Sequence, residues 1–187
     1  MIWTIGHSAR SLKLFLGLLA HYEVEAVADV RRFPGSHHQP QYEQTALRTA
    51  LAEHGIAYRW IVALGGRRRP RPDSPNIAWR NASFRGYADH MAIKEFAEGL
   101  SELIEVADRL RTSMMCAEAV WWRCHRALIA DALCVRGIKV VHIMDERHAV
   151  IHPYTSPARE VLGQLSYVPG EGRPLSQRAG APTPEVR

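Results

Sequence analysis

The sequence predicts a three-layer, Rossmann-like α/β domain of about five mostly parallel strands with helices on both faces. Three observations predict it. Short apolar runs alternate with longer stretches of three-four apolar spacing. Glycines stand where helices should end, as at Gly55 and Gly137. Polar motifs follow the apolar runs instead of being scattered, as they do where a parallel sheet carries its ligands at the carboxyl ends of its strands.

The elements follow in order. Residues 1–5 are short, apolar and followed by Gly6, a first strand. Ser8 or Ser11 caps the next helix, in which Leu12, Phe15, Leu16 and Leu19 share one face. Residues 25–30 form a second strand, and 31–40 a polar loop with Pro and Gly. A helix over 42–54 and a strand over 57–61 come next. The stretch 64–85 is irregular, with Gly65-Gly66, the run Arg67-Arg68-Arg69-Pro70-Arg71 and three prolines. Loops this long are usually functional or disordered. A helix over 94–110 buries Phe96, Leu100, Leu103, Ile104 and Ala107. Strand 112–116, helix 124–136 and strand 138–143 complete the domain, residues 1–152. Residues 153–187 read as a Pro/Gly-rich tail with a short helix near 159–165. The expected strand order is 3-2-1-4-5, with 2-1-3-4-5 the runner-up and right-handed crossovers.

Composition narrows the function classes. No apolar run approaches the roughly 18 residues of a membrane span, and the first residues read as a strand, not a signal peptide. The cytoplasm is therefore expected, with no membrane partner. Three cysteines argue for free thiols, not a disulfide framework. A net charge of +5 favours anionic partners, a small anion first and nucleic acid second. Much of that excess sits in the arginine run, which is equally explained as a mobile solvated loop. Nothing sets the oligomeric state.

The densest chemistry lies in residues 115–126. Cys116 leaves a strand; Cys124, His125 and Arg126 open a helix. A helix start with Arg and His nearby favours a thiolate, and its free N–H groups can bind an anion. The candidate catalytic residues are Cys116, Cys124, Glu118 and His7. Glu118 or His7 would act as acid or base. Substrate contacts are assigned to Ser8, Asp29, Arg31, Arg32, Arg85, Tyr87, Arg123, His125 and Arg126. Among them Arg31, Arg85 and Arg126 would hold the anion and Tyr87 would stack on a base or sugar.

Each assignment has a bland counterpart. Free cysteines are commonly buried as small hydrophobes, a reading that suits Cys134 best. Glu118 can pair with Arg123 or Arg126, Asp29 with Arg31, and Tyr87 can simply pack. Cofactors stay open, but Gly6-His7-Ser8-Ala9-Arg10 lacks the later glycines of a dinucleotide fingerprint. Cys116 and Arg123 are one residue too far apart for a phosphatase-type cradle. No metal is assigned: a site of Cys116, Cys124, His125 and His7 is the weaker alternative, because the cysteines are more widely spaced than in common zinc sites.

The motifs Thr4-Ile5-Gly6-His7-Ser8, Asp29-Val30-Arg31-Arg32-Phe33-Pro34-Gly35-Ser36, Leu64-Gly65-Gly66, Phe84-Arg85-Gly86-Tyr87 and Met115-Cys116-Ala117-Glu118 through Arg123-Cys124-His125-Arg126 stand in one order. Together they resemble the domain-of-unknown-function 488 family over residues 2–143. The resemblance implies a small Rossmann-like domain of bacteria or archaea and no established reaction. It points to the same polar positions, and departs locally at Ala119-Val120-Trp121-Trp122, where relatives are more polar. These tryptophans can shield the pocket, stack on a ligand or form an interface. The expected function is an enzyme acting on a nucleotide, phosphosugar or nucleic-acid component. The alternative is a nucleic-acid- or protein-binding module without catalysis.

Overall fold

Strand β1 (Ile2–Gly6) is buried at all five positions, which requires cover on both faces. Its side chains alternate: Trp3 and Ile5 join one core cluster, Ile2 the other. The structure, a computed structural model, describes residues 1–35 and 38–177. Ser36 of the second motif and the chain from residue 178 lie outside the described residues.

Helix α1 (Leu12–His21) is capped by Ser11, whose hydroxyl accepts from the Leu14 N–H. Strand β2 (Ala26–Asp29) follows, then a 3-10 turn (Pro40–Tyr42) and α2 (Gln44–Glu53), capped by the Glu43 carboxylate. Gly55 closes α2 at φ 71°. Strand β3 (Ala57–Trp60) is largely exposed, as an edge strand must be. Helix α3 (Ala82–Met91), capped by Asn81, begins inside the stretch 64–85 that the sequence presents as irregular. Helix α4 (Lys94–Ala107), β4 (Thr112–Cys116), α5 (Arg126–Val135) and β5 (Val140–Ile143) come next. Five further residues lead to β6 (Ala149–Ile151), which pairs antiparallel with β5.

The sheet order is β3-β2-β4-β1-β5-β6, and the first five strands are parallel. This is a three-layer Rossmann-like architecture. α1 and α2 pack in one core cluster, α3, α4 and α5 in the other. The order corrects the expected 3-2-1-4-5: β1 and β4 are neighbours as expected, but β4 also separates β1 from β2. The chain after β1 passes to α1 on one face, and the chain after β4 to α5 on the opposite face. The two adjacent strands therefore part at their carboxyl ends and open the crevice where such sheets bind ligands.

The helix expected near 159–165 is instead a β-hairpin of β7 (Arg159–Val161) and β8 (Gln164–Ser166), joined by β9 (Arg173–Pro174) into a second small sheet. Leu162 and Gly163 both take positive φ there, which a helix cannot hold. Ala158, Tyr167 and Leu175 are buried in the core on the α5 side. No described helix is long and apolar enough to cross a membrane.

Candidate functional site

The site is built on the end of β4. Register pairs Cys116 with Gly6 of β1 and Met115 with Asp29 of β2. The loop after β1 lies against the chain after β4: the His7 and Ser8 N–H groups donate to the Cys116 and Ala117 carbonyls. Only glycine fits at position 6, since a Cβ there would stand 1.9 Å from the Glu118 carbonyl oxygen.

The crevice brings Cys116, Cys124 and His125 together, with both sulfurs and one imidazole nitrogen within 4.8 Å of one another. The chain turns through a 3-10 turn (Trp121–Arg123) before α5, and that turn carries Cys124 back over Cys116. His125 Nε2–H donates to the Val30 carbonyl at 3.0 Å. This bond sets the tautomer and leaves Nδ1 facing Cys124 Sγ at 3.6 Å. Tyr87 lies beneath the imidazole with ring centroids 5.0 Å apart, and Gly66 closes on its other edge, where a Cβ would meet Nδ1 at 2.6 Å.

Arg126 is 1% exposed and has no carboxylate within ion-pairing distance among the described residues. Its Nε–H donates to Cys124 Sγ at 3.3 Å, and Nη2 donates to the Glu118 and Ala119 carbonyls. Buried charges are ordinarily paired. The Cys124 sulfur is the anion available. The two thiols are pushed apart accordingly. Cys116 is raised well above the ordinary cysteine value because its S–H donates to Cys124 and because it is buried. Burial also presses Cys124 upward, but the Cys116 hydrogen bond, the Arg126 guanidinium and His125 outweigh it and bring it well below that value. Between the two sulfurs the proton is favoured on Cys116, and the Arg126 guanidinium beside Cys124 favours the thiolate form there.

Several sequence assignments land elsewhere. Asp29 and Arg31 pair with each other: Arg31 Nη2 lies 2.6 Å from Asp29 Oδ2, and both are buried. Tyr58 donates its hydroxyl to Asp29 at 2.7 Å, and Arg31 Nη1 donates to the Tyr42 carbonyl at 2.8 Å. This ion pair ties β2 to its loop. His7 donates Nδ1–H to the Ser8 carbonyl, stacks on Tyr42 at 4.0 Å and turns Nε2 toward Arg31 Nη1 at 3.4 Å. Burial lowers its pKa to about 4, against a smaller lift from the Ser8 carbonyl, so it is neutral and engaged near pH 7. Tyr87 is buried and donates to the Leu64 carbonyl at 2.7 Å, a support for His125 with no face left for a ligand. Of the N–H groups expected to bind an anion at the start of α5, those of Ala127, Leu128 and Ile129 turn back to the Cys124 and His125 carbonyls.

Ser8 is half-buried in the crevice loop, at φ 47°. Glu118 and Arg123 are exposed and form no ion pair with each other or with Arg126. Arg85 is half-buried on α3, and Arg32 donates to the Arg67 carbonyl at 3.0 Å. Trp121 stacks on His142 at 4.4 Å and 4°, whereas Trp122 is exposed. Cys134 is half-buried on α5 and raised to about 11 by burial, with Asp131 adding to it.

Pattern reading misses a second polar system behind the crevice. Asp131 accepts from His152 Nε2–H at 3.0 Å, from the Thr155 N–H at 2.9 Å, from the Thr155 hydroxyl and from the Tyr167 hydroxyl at 2.8 Å. From there the chain of contacts runs from His152 Nδ1 to His142 Nε2 at 2.9 Å and from His142 Nδ1 to the Thr4 hydroxyl at 2.7 Å. Thr4 and His142 are inward residues of buried strands. That placement is the one signal that marks them in the sequence.

The fold and the cleft define a class: a Rossmann-like α/β protein with a dithiol-histidine cluster at its topological switch point. The chain belongs to the family described as domain of unknown function DUF488, whose model matches residues 11–133. No curated protein and no solved structure matches.

Proposed function

We propose that the protein is a thiol-dependent enzyme acting on an anionic substrate, a nucleotide, phosphosugar or nucleic-acid component, with Cys124 as the nucleophile. The observation that carries the reading is the buried Arg126 guanidinium, whose Nε–H meets Cys124 Sγ at 3.3 Å and which has no carboxylate partner among the described residues. A thiolate held in this way is ready to attack. Cys124 Sγ forms the bond to the substrate's electrophilic centre, and the leaving group departs with its bonding pair and takes the Cys116 proton. Water then displaces Cys124 as thiolate and returns one proton to Cys116. Each turnover consumes one water and restores the pair. His125 keeps Nδ1 beside the reacting sulfur.

The test is Cys124→Ser beside Cys116→Ser in a hydrolysis screen over nucleotides and phosphosugars. Loss of turnover in the first, with a thiolate absorption band retained in the second, is expected. Full turnover by Cys124→Ser overturns the reading.

A second reading has its own observation. His125 donates Nε2–H to a backbone carbonyl while Nδ1 faces the Cys124 sulfur, with Cys116 in the same cluster, the outer-sphere arrangement of a metal-binding histidine. Two thiolates and an imidazole suit zinc with one open position. Elemental analysis of protein purified without chelator decides between them: near-stoichiometric zinc selects the metal reading, and its absence selects the free thiolate.

A further inference from the structure

The arginine run forms one wall of a hollow of about 470 Å³ lined by Arg32, Arg67, Arg68, Arg69 and Arg71 together with α3. The run is not a loose solvated loop. Gly86 of α3 lies so close to it that a Cβ would stand 2.5 Å from the Arg68 carbonyl oxygen and 2.6 Å from the Pro70 nitrogen. Tyr87 and His90 donate to the Leu64 and Ala63 carbonyls, each at 2.7 Å, and the Arg71 N–H donates to Asp89 at 2.8 Å. α3 thus holds both ends of the segment, and Arg67 takes φ 58° within it, a strained value for a side chain with a Cβ.

The charges in this hollow do not cancel. Asp89, the one lining carboxylate, already accepts from Ser74, Asn76 and the Arg71 N–H. Arg68 pairs with Glu95 at 3.3 Å, and Arg71 approaches Asp73 only at 3.9 Å and in the open. The side chains of Arg67 and Arg69 are exposed and have no polar partner among the described residues. Several guanidiniums lining one concavity suit phosphate groups: each presents a planar fork of donors, and the backbone that carries them is already held by α3. The volume is that of a small-molecule site. Among the described residues no Phe, Tyr or Trp lines it, so they offer no stacking platform of the kind that single-stranded nucleic acid uses.

We propose that this cradle binds linked phosphate groups, a diphosphate or triphosphate, of a small molecule. It adjoins the thiol cluster through Arg32, next to the Arg31 of the crevice loop, and through Gly66, which packs on His125. As an anchor for the enzyme's substrate, the proposal rests on the thiol reading above; as a binding site it does not.

Calorimetric titration of the full chain with inorganic tripolyphosphate and with a nucleoside triphosphate tests it. The variants are R67Q/R69Q, whose side chains touch no polar partner, and C124S. Wild type and C124S should bind tripolyphosphate equally, and R67Q/R69Q should lose roughly a hundredfold, about tenfold for each guanidinium. Equal affinity for the two ligands assigns recognition to the phosphates alone; a tighter nucleoside triphosphate assigns the source to nucleotides. Unchanged affinity in R67Q/R69Q, or no binding of either ligand by wild type, overturns the proposal. Because C124S keeps the cradle, failure of the thiol chemistry leaves this readout intact.

Discussion

Replacing Arg126 by Met should move the Cys124 proton while leaving the fold in place. The guanidinium nitrogen lies 3.3 Å from Cys124 Sγ. At an effective dielectric of about 20, a unit charge pair at that separation is worth about 5 kcal/mol. Removing one partner of a buried pair ordinarily costs about 3–5 kcal/mol, because the other charge is left uncompensated. Here the stranded thiolate has an escape, since it can take up a proton. Most of the cost should therefore emerge as thiol protonation, not unfolding. Methionine fills the apolar stem of the arginine but leaves the Glu118 and Ala119 carbonyls without their donor, about 1 kcal/mol each at a partly solvated edge. The assay is ultraviolet titration of thiolate absorbance. Wild type should keep one thiolate per chain well below the ordinary cysteine range near about 8.5. In Arg126→Met that band should climb into or above this range, whereas Arg126→Lys should retain part of the depression. Superimposable titrations of wild type and Arg126→Met, or a low-pH thiolate that survives Cys124→Ser, would refute the ion-pair reasoning.

Three further outcomes are expected. His7 is neutral in the fold and its pKa falls from 6.5 to about 4. Between those values the unfolded chain binds the proton that the folded one refuses, so stability falls as pH drops through that window. His7→Gln should flatten that slope in denaturant titrations, and an unchanged slope refutes the assignment. Gly66→Ala would press a methyl group against His125 Nδ1 at 2.6 Å; the imidazole must swing from Cys124, and the thiolate band should rise in pH with the far-ultraviolet dichroism unchanged. Asp131→Asn turns an acceptor of four hydrogen bonds into a group that opposes the Thr155 and Tyr167 donors. A loss on the order of 3 kcal/mol, with faster proteolysis after Pro153, should follow; a change within about 0.5 kcal/mol would show the network to be incidental.

The layers, and the edge of the sheet that carries the polar groups, are legible in the amino-acid pattern. Apolar runs bounded by glycine or a capping residue place β1, β4, α1 and α5, because burial on one or both faces writes itself as periodicity. The same logic put Cys116, Cys124 and His125 near one another, since strand ends of a parallel sheet share an edge. The order of the strands was decided by the tertiary structure alone. β2 and β4 are both buried throughout, so their patterns do not say which of them lies beside β1. Helix α3 was hidden because its arginine, glycine and buried Asp89 and His90 read as loop chemistry. The division of labour among the charged groups was equally hidden. Asp29 takes Arg31 two residues away, and Arg126 is left to a sulfur because no carboxylate of the described residues reaches it. Such partnerships depend on which groups the fold removes from water together, and electrostatic strength follows that burial more closely than it follows residue type.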